Sequence, residues 1–163
     1  MNPTDEVIME LQKIPWVQDL DAGDVRKFAE ISHLRHFRPG EVFFHEGDKQ
    51  DFYYIVLSGR VALDMFVPHH GKVRFYTCEE GDDFGWSSVT PVVHTRTAGA
   101  VGVMDGTVIA IDTTKLQELC DRDHDIGYIL MYRMSNVIAS RLLVTRLQLL
   151  DMFAEPVETK ADE

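Results

Sequence analysis

Glycine stands at positions 40, 47, 59, 71 and 81, so the chain from residue 34 to 112 is interrupted every seven to twelve residues. The runs between, at 34–37, 41–45, 52–57, 60–66, 72–78, 95–103 and 107–112, are rich in Val, Ile, Phe and Tyr. β-branched and aromatic runs bounded by residues that tolerate positive φ are strand signals. No helical pattern separates them, which excludes alternating βα units and predicts an all-β sandwich or barrel. A β-roll or jelly roll, two antiparallel sheets around one cavity, fits best. Residues 84–94, FGWSSVTPVVH, break the rhythm and suit one helical turn.

The flanks are helical. Val7, Ile8 and Leu11 are helically spaced over 4–13, with Thr4 or Asp5 as cap and Pro15 as stop. Asp21 caps a second short helix running to about Ser32. After Asp112, Thr113 or Thr114 starts a helix with Leu116, Leu119 and Cys120 on one side, and Asp123 or Asp125 opens a long one reaching Phe153. The chain thus reads as one mainly β domain: N-terminal helices in 1–33, an antiparallel β-roll in 34–112, C-terminal helices in 113–153 and a frayed tail at 154–163. On the long helix Met131, Ser135, Ile138, Leu142, Thr145, Leu149 and Met152 form a heptad-like seam. Ile129, Leu143, Leu147 and Leu150 lie partly off it. One side can pack on the roll while the other meets a second copy, so 126–153 predicts a homodimer.

Charge narrows the partners. Sixteen Lys and Arg against 27 Asp and Glu give −11. A nucleic-acid binder must neutralise phosphates with cations, so direct nucleic acid contact is not expected, nor is an anionic membrane surface. The acidic N-terminus lacks the basic and apolar parts of a signal peptide, and arginines at 133, 141 and 146 do not suit a membrane span. Cys78 and Cys120 make no disulfide framework and read as reduced thiols of a cytoplasmic protein. There is no GxxxxGKS/T, GxGxxG or HExxH, and Gly85-Trp86-Ser87-Ser88-Val89 lacks the final glycine of a nucleophile elbow. A metal-binding cupin barrel wants paired histidines before Ser58-Gly59, where only His45 stands. Nothing points to catalysis, a metal or a cofactor.

Two stretches carry a resemblance. Residues 39–48 read PGEVFFHEGD, and 51–63 read DFYYIVLSGRVAL; residues 81–98 read GDDFGWSSVTPVVHTRTA. The first two are similar to the strand start, and the third to the phosphate-binding cassette GxxFGExxLxxxxxRxA, of the cyclic-nucleotide-binding domain. Residues 25–153 resemble in particular the sensory half of the catabolite-activator/fumarate-nitrate-regulator transcription factors. The resemblance implies a helical N-terminus, an eight-stranded β-roll and a long dimerising C-helix. It implies that Arg96 is a phosphate ligand with Thr97 beside it, and that Gly85 lets the backbone at Trp86 and Ser87 approach an anion. Thr145 falls where the family places a base-contacting Thr. An internal carboxylate from Asp82 or Asp83 is the alternative neighbour for Arg96.

The cassette also departs from the pattern. Where the family's cyclic-nucleotide binders carry the Glu that accepts a ribose hydroxyl, this chain has Trp86. An indole donates a hydrogen bond but accepts none. One charge-assisted hydrogen bond is worth about 1.5–3 kcal/mol, so tight cyclic AMP binding in the usual mode is not expected. The regulators continue into a helix-turn-helix domain, whereas this chain ends about ten residues after its C-helix. The expectation is a stand-alone, non-enzymatic sensor of a small anionic ligand, with nucleotides among the candidates, signalling through a C-helix dimer. The alternative is a ligand-free protein-interaction domain with Trp86 packed into the pocket; a cupin-type enzyme ranks third.

Overall fold

Two long strands carry the architecture of the computed structural model, which describes residues 2–49, 51–90 and 92–153. β1 (Ser32–Phe37) and β2 (Val42–Phe44) pair with β6 (Gly99–Asp112); β4 (Gly71–Cys78) and β5 (Asp83–Phe84) pair with β3 (Phe52–Val67). β3 and β6 pair with each other from Phe52↔Asp112 to Asp64↔Gly99. Every pairing is antiparallel. Successive side chains of a strand point to opposite faces, and the pattern here uses both. Tyr53, Ile55, Ile109 and Ile111 face a core shared with the helices. Tyr54, Val56, Val108 and Ala110 face the roll interior beside Phe37, Phe44 and Phe84. Inside, Tyr54 stacks on Phe84 at 4.8 Å. The mainly β roll with flanking helices is as predicted.

Four details differ. Among the described residues the strands form one continuous six-stranded sheet rather than two sheets of eight strands in all. Residues 52–57 and 60–66 belong to one strand, because Ser58-Gly59 is an irregularity within β3 and not a hairpin. Gly59 has φ +81°, and a Cβ there would lie 2.5 Å from the Asp105 carbonyl oxygen, so β3 and β6 cross too closely for a side chain. Residues 95–98 precede β6 instead of opening it: the Arg96 backbone exchanges hydrogen bonds with Gly47 and Asp48. The first helix is capped by Asn2, whose side chain accepts from the Thr4 amide, which places Thr4 and Asp5 inside its first turn.

The helices cover one face of the sheet. α1 (Pro3–Leu11) leads through a 3-10 turn at Pro15–Asp19 to α2 (Ala22–Glu30), which Asp21 caps as expected. Ser32 follows as the first residue of β1, its hydroxyl bonded to the Phe28 carbonyl. α3 (Thr113–Arg122), capped by Asp112, is followed by α4 (His124–Phe153). α4 packs through Ile126, Leu130, Met134 and Val137, spaced four, four and three apart. Beyond Val137 it leaves this core, and Leu142, Leu143, Leu147, Leu149 and Leu150 are exposed. The tail read as frayed lies outside the described residues.

Candidate ligand-binding site

Where α4 passes the mouth of the roll it leaves a cavity of about 290 Å³. The roll supplies Phe44 from β2, Leu63 and Met65 from β3 and Phe75 from β4. The segment after β5 supplies Gly85, Trp86 and Ser87, the approach to β6 supplies Thr97 and Ala98, and α4 supplies Ile138, Arg141, Leu142 and Thr145. Five of the six sequence-predicted residues, Gly85, Trp86, Ser87, Thr97 and Thr145, are thus brought together on one cavity. Sequence reasoning missed the apolar roll residues and the role of Arg141. Arg141 carried a usable signal: it lies one turn before Thr145, hence on the same helix face.

The cassette folds as a tight corner. Gly85, at φ +80°, ends β5 and starts the three-residue 3-10 turn Trp86–Ser88. A Cβ on Gly85 would lie 2.8 Å from Arg96 Nη1, so the glycine makes room for a guanidinium. The Ser88 hydroxyl donates to the Gly85 carbonyl at 2.7 Å and locks the turn. Trp86 is half-buried and packs partly against the helix-side core. Trp86 thus lines the cavity without filling it.

Arg96 stands behind that wall. It is 3% exposed and lines a neighbouring cleft of about 330 Å³ together with Arg35, Asp48, Lys49 and Asp51. Nη1 donates to the Gly85 carbonyl at 3.0 Å, Nη2 donates to that of Phe52, and the guanidinium lies 4.0 Å from the centre of the Phe44 ring. Its nearest neighbours are thus backbone carbonyls and an aromatic face, and neither Asp82 nor Asp83 is among them. Burial pulls its pKa below the ordinary arginine value, opposed by Tyr54, Asp51 and Asp48.

The expected acidic neighbour is engaged elsewhere. Asp83, 1% exposed, accepts from Arg133 Nε of α4 at 2.7 Å. Arg133 also donates to the Gly81 carbonyl, and Arg141 Nη2 donates to the Asp83 carbonyl at 3.0 Å. Two α4 arginines therefore grip residues 81–83 at the start of the cassette. Burial pushes the Asp83 carboxyl up, against the lowering effect of Arg133. The Arg141 guanidinium stacks 3.3 Å from the centre of the Tyr76 ring, and its Nε is buried without a partner. The adjacent Cys78 thiol is pushed up to about 12 by burial, which makes it an inert packing residue. Among the described residues no cluster of His, Cys, Asp or Glu could hold a metal, and no helix is long and apolar enough to cross a membrane.

Comparison with known proteins agrees with this geometry. Residues 34–123 match the family model described as cyclic nucleotide-binding domain. Over 82 residues the chain is 37% identical to human Rap guanine nucleotide exchange factor 3, covering 50% of this chain and 8% of that protein. The chain thus spans under a tenth of that relative's length. Among solved structures, a putative cyclic nucleotide-binding protein from Geobacter metallireducens is 25% identical with a TM-score of 0.70, covering 87% of this chain and 99% of that one. A cyclic nucleotide-binding domain from Methylobacillus flagellatus shares the fold at 18% identity and a TM-score of 0.77, covering 94% and 86% of the two chains.

Proposed function

The chain belongs to the cyclic nucleotide-binding domain family, and we propose that it is a non-enzymatic sensing module. Its cavity takes a small anionic ligand, and α4 reports occupancy through a homodimer. One observation carries this reading. Arg96 and Arg141 flank the Gly85–Trp86 corner, and among the described residues neither has a carboxylate within 4 Å. Arg133 and Arg35, by contrast, are paired with Asp83 and Glu41. Arg96 has Asp48 and Asp51 across its own cleft, whereas Arg141, drawn inward with no carboxylate against it in a chain of net charge −11, marks a place kept for an external anion. Arg141 is the cation on the cavity wall itself, with Ser87, Thr97 and Thr145 as hydroxyl neighbours.

The route to a signal follows from the same contacts. α4 forms one side of the cavity and also grips the cassette, so a ligand that prefers one placement of α4 shifts the population toward it. The seam residues Leu142 and Leu149 are exposed on a single chain and suit a second α4. Thermal unfolding with a panel of cyclic nucleotides and small organic anions tests the proposal. A ligand at a hundred times its Kd stabilises by about 2.7 kcal/mol, on the order of 5–10 °C for a chain of this size. The expected result is such a shift for at least one anion, lost in Arg141→Gln. A flat response across the panel points to the ligand-free interaction domain.

A further inference from the structure

We infer that the cavity is built for a flat, largely apolar organic acid, an aryl carboxylate, and not for a sugar-bearing nucleotide. This rests on the sensing role proposed above and names its ligand class. Although the chain is rich in acidic residues, none of those among the described residues lines this cavity. A ribose or other polyol brings several hydroxyl donors, and each must find an acceptor or be buried unpaired. The side-chain acceptors on offer are only the neutral hydroxyls of Ser87, Thr97 and Thr145, with no carboxylate to take a charge-assisted bond. Apart from Arg141 and the Gly85 backbone, the rest of the wall comes from aliphatic, thioether and aromatic residues.

Three aromatic residues, Phe44, Phe75 and Trp86, line the space, which suits a planar ring that can pack against them. The placement of Phe75 is a specific feature of β4. The register slips between Leu63↔Tyr76 and Asp64↔Arg74, so Phe75 is the extra residue of a bulge. Gln148 of α4 donates to its carbonyl at 2.9 Å and fixes the bulge against the helix. At about 290 Å³ the cavity sits at the lower edge of small-molecule sites, typically ~300–1,000 Å³, which favours one or two fused rings over a long chain. The acid end goes to Arg141, held over Tyr76 at the wall, because it is the one charged side chain among the lining residues.

Titration calorimetry on the intact chain tests this with 2-naphthoate, its neutral counterpart 2-naphthalenemethanol, and cyclic AMP. The expected result is saturable naphthoate binding at one per chain, at least ten-fold tighter than the alcohol, with cyclic AMP weaker than both. Arg141→Gln should weaken naphthoate at least ten-fold and leave the alcohol within two-fold. If that variant does not fold, added salt reads the same charge, weakening naphthoate and not the alcohol. Cyclic AMP binding tighter than naphthoate overturns the ligand class and leaves the sensing role standing. Naphthoate binding indifferent to both Arg141→Gln and salt also overturns it. Silence from all three probes, and from the wider anion panel, overturns the sensing role as well.

Discussion

At the scale of single residues, Gly85 and Trp86 decide what the cassette can do. Gly85 takes a left-handed conformation with Arg96 packed where a side chain would start. Gly85→Ala combines backbone strain with displacement of a buried guanidinium, and about 1–3 kcal/mol of stability should be lost. Urea unfolding should show a lower midpoint with an unchanged slope. Trp86 replaces a carboxylate that would accept a ribose hydroxyl. Trp86→Glu should raise cyclic AMP affinity by roughly ten- to a hundred-fold, the equivalent of one charge-assisted hydrogen bond. Low-micromolar cyclic AMP binding by the unmodified chain would show that this reading of the indole is wrong. Both residues were legible in the sequence, since turn glycines and a motif mismatch are local facts. The placement of Arg96 was not legible, because motif position names a residue and leaves the direction of its guanidinium open. Here two backbone carbonyls and the Phe44 ring took that side chain.

At the scale of elements, the joint between α4 and β5 is asymmetric. Asp83 is almost fully enclosed, whereas the Arg133 side chain keeps a quarter of its surface in water. Arg133→Met strands a buried carboxylate and should cost about 3–5 kcal/mol at neutral pH. Asp83→Asn keeps the shape and leaves a cation that reaches solvent, so it should change stability by less than about 1 kcal/mol. The pH dependence follows from the raised Asp83 pKa. Between the unfolded value near 4 and the higher folded value, the folded chain holds the proton more tightly. Stability relative to Asp83→Asn should therefore rise as pH falls through that window. In Arg133→Met the effect should be larger, and its deficit should shrink toward acid; a deficit that grows on acidification would contradict it. This joint was not readable in the sequence, because it links residues fifty positions apart. The strands and helices were readable, since hydrophobic period and turn residues are local. The fused β3 was misread for the same reason: a glycine in a bulge and a glycine in a hairpin look alike until β6 is seen crossing beside it.

At the scale of the whole molecule, the proposed function couples a cavity, a helix that closes it and a second copy of that helix. Among the described residues nothing covers the leucines of α4 beyond Val137, which stay exposed, so the protein should run as a dimer at tens of micromolar. Leu142→Glu with Leu149→Glu should give a monomer on a sizing column, because unpaired charges in the seam are costly. A wild-type monomer would remove the dimer from the account. The central claim, that the cavity beside Trp86 is open and takes an anion, is tested most directly by the emission of Trp86 itself. Trp16 is the second of the two tryptophans and lies in the helix-side core, so Trp16→Phe leaves Trp86 as the single emitter. Titrating that variant with the anion panel should change Trp86 emission saturably for at least one member, and Arg141→Gln should move the midpoint to higher concentration. Emission that stays flat across the panel at millimolar concentration would mean that the cavity takes no anion.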